Sequence, residues 1–148
     1  MTSKSSSSPP IVYLRRKESF SCAHRLHSTA LSDEENAKIF GKCNHPNGHG
    51  HNYTLEVCLR GPIDPKTGML MNLTSLKKVI EIAVMDVLDH KNIDKDVEYF
   101  THHTSTAENL CVFIYSQIKQ HLPTPHQNHL YKVTLHETKK NVASYKGE

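Results

Sequence analysis

Tryptophan is absent from this 148-residue chain, aromatic residues make up 7% of it and hydrophobic residues only 36%. So little apolar material makes a modest core, although one domain of this length still buries about two-thirds of its unfolded surface. A modest core also favours completing burial by oligomerising. No apolar run approaches membrane-spanning length, and the N-terminus is Ser-rich and polar where a secretory signal is apolar; no membrane partner is expected. No charge of one sign dominates. The formal net charge is +3 and the pI about 8.6, with basic residues spread along the chain. That balance weakly favours anionic small molecules and is not a nucleic-acid signature. Among the six glycines there is no dinucleotide-binding fingerprint, and no internal repeat is visible.

Histidine, by contrast, is plentiful. Twelve of them point towards metal or proton chemistry. Four cysteines, Cys22, Cys43, Cys58 and Cys111, are an even number, so disulfides have to be weighed. Cys22 and Cys58 lie in strand-like runs and Cys111 in a helix-like one, which suits buried free thiols and a reducing, cytoplasmic compartment.

Residues 1–10, MTSKSSSSPP, read as a disordered polar arm, and residues 11–148 as a single domain. A first strand is predicted from Ile11 to about His24, with Phe20, Cys22 and His24 on one face. The basic run Arg15-Arg16-Lys17 ahead of Ser19 is either a solvated strand edge or a basophilic kinase target. Ser32 and Glu35 have capping-box spacing at the head of a short helix that Gly41 closes. A second strand runs from about His49 to Arg60, with His49, His51, Tyr53, Leu55, Val57 and Leu59 alternating on one face. A helix over 73–88, capped by Asn72, carries Leu73, Leu76, Ile80, Ala83, Val84 and Val87 as its buried stripe. A second helix begins at Ser105, where Ser105 and Glu108 again offer a capping box, and stops before Pro123. Two closing strands, roughly 130–138 and 142–146, place Tyr131, Val133, Leu135 and Glu137 on one face. The order ββααββ predicts an α+β fold: an antiparallel four-stranded sheet with two helices on one face.

The segment Gly41–Asn52, GKCNHPNGHGHN, concentrates the chemistry. His49 and His51 sit two apart on a strand, so both imidazoles reach one point in space. Antiparallel pairing brings the end of the first strand, His24, beside them. Three imidazoles make a tripodal site suited to Zn²⁺, with a fourth position left for water or substrate, or else filled by Cys43. Asp89-His90 is a second candidate. A carboxylate beside an imidazole can orient and charge it, and a charged imidazole favours the thiolate of a neighbouring cysteine; the bland reading is a helix-end dipole partner. Glu137 is the third: a carboxylate continuing an apolar row either swings into water or accepts adjacent N–H donors of a planar ligand. His45 is a turn residue or a spare ligand. His27, His102, His103, His121, His126, His129 and His136 read as surface residues.

Taken together, SFSCAHRL (19–26), LSDEEN (31–36), FGKCNHPNGHGHNY (40–53), IDPKTGMLMNL (63–73), LDHKN (88–92), STAEN (105–109) and the closing YKV, ET and YKGE resemble the 6-pyruvoyl-tetrahydropterin synthase family of the eukaryotic type. The resemblance spans nearly the whole chain beyond the arm. It implies that His24, His49 and His51 are zinc ligands and Cys43 a catalytic thiol, with Asp89 and His90 as its relay. Glu137 would anchor the pterin, a carboxylate some family descriptions also place in the relay, and Thr106 would be a neighbouring pterin contact. The implied reaction is zinc-dependent conversion of 7,8-dihydroneopterin triphosphate to 6-pyruvoyl-tetrahydropterin with loss of triphosphate, a lyase step of tetrahydrobiopterin biosynthesis. The implied architecture is the tunnelling fold, in which three subunits close a twelve-stranded barrel and two trimers stack as a homohexamer. His45 stands where the family commonly has Asn, and Ala107 where it commonly has a second Thr. The bacterial 6-carboxy-tetrahydropterin synthases share the zinc histidines and the substrate. They differ in having a shorter interval than the five residues between Cys43 and His49 here. A structural, non-catalytic zinc domain closed by Cys43 is the reading from a different class.

Overall fold

The computed structural model describes residues 7–148, so the first six residues of the polar arm lie outside the described residues. The chain is organised by one long pairing. Strand β1 (Ile11–His24) and strand β2 (His49–Pro62) run antiparallel in unbroken register from Ile11 opposite Pro62 to His24 opposite His49. Even-numbered residues of β1 and odd-numbered residues of β2 face the core, as the alternation predicts. Phe20, Cys22 and His24 are buried, as are Tyr53, Leu55, Val57 and Leu59. Between the two strands lie helix α1 (Asp33–Phe40), with the complete Ser32–Glu35 capping box, and a 3₁₀ turn at Gly41–Asn44. Gly48 then admits the chain to β2. Its φ is +72°, and a Cβ there would stand 2.9 Å from the His24 carbonyl oxygen, an approach and a conformation that suit only glycine.

The predicted helix over 73–88 is one run broken in its middle. Helix α2 (Leu73–Ile80), capped by Asn72, passes through a π-helical turn (Glu81–Met85) into the single turn α3 (Asp86–Leu88). The wider turn changes which side chains continue the buried stripe. Leu76, Ile80, Ala83, Val84 and Leu88 are buried, while Val87 is only half-buried and Leu73 is exposed.

With Leu88 turned inward, the chain leaves α3 against the edge of β1 and forms β3 (Lys91–Asn92), parallel to Cys22–Ala23. With β4 (Leu130–His136) and β5 (Val142–Tyr145), the sheet therefore has five strands in the order β3-β1-β2-β4-β5 and is mixed, where four antiparallel strands were expected. Two residues of strand carry no periodic signal, so composition could not reveal it.

Helices α4 (Ile93–Asp96) and α5 (Tyr99–His102) precede α6 (Ala107–His121), whose apolar residues Leu110, Phe113, Ile114 and Ile118 cover the inner face of the sheet. The cap of α6 is Thr106, one residue later than expected: its Oγ1 accepts from Asn109 N–H at 3.2 Å. Ser105 is buried instead, with its hydroxyl unpaired and its carbonyl engaged elsewhere. Strands β4 (Leu130–His136) and β5 (Val142–Tyr145) complete the sheet. A register shift opposite Cys58–Leu59 turns Leu130 to the core and sends Tyr131 to the outer face against Tyr13, so Tyr131 does not share the row of Val133 and Leu135. Of the histidines read as surface residues, His102, His103 and His121 are exposed. His27, His126, His129 and His136 are half-buried, and His126 and His129 meet Nδ1 to Nδ1 at 3.2 Å. All four cysteines are free, and only Cys43 is not buried.

The two neighbouring hydroxyls at the head of α6 give a clean test. Thr106→Ala should lower unfolding free energy by about 1 kcal/mol, the ordinary worth of an N-cap. Ser105→Ala should leave it unchanged or slightly raised, because the deleted hydroxyl has no partner. Urea denaturation of both variants decides it, and the reverse ranking would return the cap to Ser105.

Candidate functional site

The β1–β2 register puts His24 directly opposite His49, and the period of β2 puts His51 on the same face two residues on. The Nε2 atoms of His24 and His49 lie 3.1 Å apart, as do those of His49 and His51, and the three ligating nitrogens fall within 4.8 Å of one another. His24 is 1% exposed, and its Nδ1 sits 2.7 Å from the Ser105 carbonyl oxygen. A carbonyl only accepts, so Nδ1 carries the proton and Nε2 presents its lone pair to the other two rings. With His49 and His51 in the same tautomer, three lone pairs would converge with no proton among them. The donor set fits a cation, and the site can hold a metal ion.

The Ser105 carbonyl is the orienting partner that sequence reasoning missed. Ser105 drew attention only as a capping hydroxyl, and nothing in a residue's identity advertises the use of its main-chain oxygen.

Burial shapes the titration of the cluster. His49 is held below the ordinary histidine range, first by desolvation and then by repulsion from His24 and His51. His51 is also pushed down by desolvation, against the upward pull of Glu137. The Glu137 Oε2 lies 4.0 Å from His51 Nε2. Glu137 stands just past β4, where its N–H donates to Asn141 at the hairpin turn, so it neither continues the strand nor swings free. Glu137 and Thr106 line one cleft of about 600 Å³, together with Leu26, Phe40, Ala107 and Val142.

Cys43 is half-exposed in the 3₁₀ turn and does not join the group of three ligating nitrogens. His45 is exposed, and its Nδ1 accepts from Asn47 N–H at 3.1 Å. Asp89 and His90 do meet. Asp89 Oδ2 lies 2.9 Å from His90 Nδ1, and together they occupy both backbone groups of Ser21: Ser21 N–H donates to Asp89 Oδ1 at 2.9 Å and its carbonyl accepts from His90 N–H at 2.7 Å. The Ser21 N–H above all, with His90 beside it, holds the Asp89 carboxyl below the usual carboxylate range. The His90 side chain is 85% exposed on a backbone of φ +64°. Among the described residues no hydrogen bond joins the Cys43 thiol to either member of the pair.

Comparison with known proteins places these features in context. The family model described as 6-pyruvoyl tetrahydropterin synthase matches residues 13–148. A 6-pyruvoyl tetrahydrobiopterin synthase of Poecilia reticulata is 55% identical over 98% of this chain and 99% of its own length. The Homo sapiens protein of the same name is 56% identical over 90% of each. The solved structure of Caenorhabditis elegans 6-pyruvoyl tetrahydropterin synthase superposes with a TM-score of 0.92 at 49% identity, covering 95% of this chain and 99% of that one.

The depressed histidines generate a pH prediction for chelator-treated protein. Their unfolded counterparts titrate near 6.5 and the folded site below that. As pH falls through 6.5 the unfolded chain takes up protons that the folded cluster refuses. Their contribution is therefore fully present above pH 6.5 and is lost as pH falls below it. Urea midpoints between pH 8 and 5 should fall on the acid side, with a shallower slope in His49→Gln/His51→Gln. A midpoint that rose on acidification would contradict the assignment.

Proposed function

The chain belongs to the 6-pyruvoyl tetrahydropterin synthase family, and from that premise we propose that it is a zinc-dependent lyase converting 7,8-dihydroneopterin triphosphate to 6-pyruvoyl-tetrahydropterin and triphosphate, in tetrahydrobiopterin biosynthesis. One observation carries the reading: three imidazole nitrogens converge, and one of them, His51 Nε2, stands 4.0 Å from the Glu137 carboxylate, which lines a cleft large enough for a pterin. Three neutral nitrogen donors and an open position suit Zn²⁺ above the harder divalent ions.

In this reading His24, His49 and His51 hold the ion. When bound, it supplies Lewis acidity to a substrate side-chain oxygen and so acidifies the neighbouring C–H. Cys43, as thiolate, takes that proton. Glu137 accepts the exocyclic and ring N–H groups of the pterin in a fork, with Thr106 beside it, which aims the side chain of the substrate at the histidines. Triphosphate departs as an already charged group. The ring gains the two electrons that the side chain loses, so the reaction balances without an external oxidant or reductant.

The relay of Asp89 and His90 belongs to an assembly. The edge of β1 from Ile11 to Phe20 has no strand beside it among the described residues, and β5 forms the opposite open edge. Ile11, Tyr13 and Val142 are about half-exposed. Edges of this length call for a partner, and ring closure of three subunits, stacked as a homohexamer in the cytoplasm, supplies one. The exposed His90 sits at the β1 edge, where closure would present it to the Cys43 thiol of the adjoining subunit.

Two measurements test the reading. Cys43→Ala should retain one zinc per chain and the wild-type oligomer while turnover falls by about 10²-fold or more. Loss of zinc with the thiol would instead make Cys43 a ligand, and a carboxy product from wild-type protein would move the chain to the bacterial chemistry. Glu137→Ala should weaken binding of a pterin such as biopterin by about 1.5–3 kcal/mol, the worth of charge-assisted hydrogen bonds, with zinc content unchanged. Equal affinity in a calorimetric titration would remove the anchor.

A further inference from the structure

The turn that carries Cys43 has little packing of its own. Gly41 and Lys42 are exposed, Cys43 is half-exposed, and only Asn44 is buried. A set of hydrogen bonds ties it to the three residues that follow His24, the first histidine of the cluster. Leu26 gives both of its backbone groups to the turn: its N–H donates to the Cys43 carbonyl at 3.0 Å, and its carbonyl accepts from Asn44 Nδ2 at 2.7 Å. Arg25 closes the other side, with Nε donating to the Asn44 carbonyl at 2.7 Å. The second Asn44 Nδ2 hydrogen reaches His27 Nδ1 at 3.0 Å. Arg25 is itself fixed, because its backbone N–H donates to Asp94 Oδ2 at 2.6 Å. The bonds that join the turn to the strand end tie 25–27 to 43–44, and the Asn44 amide, 9% exposed, makes three of them: two from Nδ2 and one at Oδ1, which accepts from Arg25 Nη2 at 3.5 Å.

We infer that Asn44, braced by Arg25, is a positioning residue that sets the place of the Cys43 thiol relative to the histidine cluster. His24 is anchored by the β1–β2 ladder and the Ser105 carbonyl, whereas Cys43 is carried on a four-residue turn whose main chain bonds to Leu26, two residues past His24. The strap converts that turn into an extension of the strand end. A reacting group displaced by about 1 Å can cost 10²-fold in rate, so a buried amide on the residue next to Cys43 has leverage on turnover without touching substrate. The inference rests on Cys43 being the base, as proposed above, but its structural half does not.

The test exploits the other three cysteines. Cys22, Cys58 and Cys111 are buried, out of reach of an aqueous alkylating agent in the folded protein. Mild iodoacetamide treatment of substrate-free holoenzyme, read by peptide mass spectrometry, therefore reports on Cys43. Asn44→Ala should keep its metal and its oligomer, lose about ten-fold or more in kcat with KM changed by less than about three-fold, and alter the Cys43 alkylation rate by at least about three-fold. Arg25→Lys, which keeps the charge but loses the Nε donor, should move the same readouts in the same direction by less. It decides the matter if Asn44→Ala does not fold. A folded, metal-loaded variant with wild-type kcat and wild-type alkylation overturns the inference. So does a kcat that falls only in step with lost metal while alkylation is unchanged, the pattern of a purely structural residue. If Cys43→Ser proved active, the base assignment would fall, yet the alkylation rates, measured without substrate, would still decide whether Asn44 holds the thiol.

Discussion

The opposition of His24 and His49 at one end of the β1–β2 ladder is the constraint on which the rest of the molecule depends. A strand pair fixes side chains by register, and a slip of one residue would send His24 to one face and His49 to the other. Fourteen consecutive partners, from Ile11 with Pro62 to His24 with His49, make that slip costly. The apolar members of the same two rows, Phe20 and Leu55 among them, face the core. The residues that build the core thereby also hold the alignment of the cluster.

Burying three imidazoles is unfavourable unless their polar atoms are used. His24 meets this with the Ser105 carbonyl, and the consequence extends into α6. Because the oxygen of Ser105 must face the sheet, Ser105 is drawn into the core, and the next residue, Thr106, becomes the cap. The head of α6 therefore does three things within two residues: it orients a metal-site ring, caps a helix and lines the cleft beside Glu137.

That dependence also explains how much could be read from the residues alone. His49 and His51 were visible through the alternation of β2, and His24 through the Phe20–Cys22–His24 row. Opposite ends of an antiparallel pair then brought the three together. The Ser32–Glu35 box and the Asn72 cap are local chemistry and formed as read. What was not visible depends on contacts distant in sequence. Ser105 and Thr106 are equally good capping residues, and only the demand of His24 chooses between them. The π-helical turn shifts Leu88 inward and Val87 outward, and Asp89 meets Ser21 because of it. Strand β3 and the displacement of Tyr131 arise from the same kind of tertiary decision.

The chain divides its chemistry by rigidity. A metal site needs ligands that agree to within a few tenths of an ångström, and the three imidazoles that could hold an ion stand on the two longest strands. Cys43, the thiol proposed as the base, sits on a short turn. The four cysteines show the same separation: three are locked in strand or helix, and burial raises all three above ordinary thiols. Cys43 is the one cysteine outside the core. The bonds from Arg25 and Leu26 to Cys43 and Asn44 tie the turn down at the main chain. They leave the side chain of Cys43 unencumbered, so restraint falls on where the thiol stands and not on what it can do there.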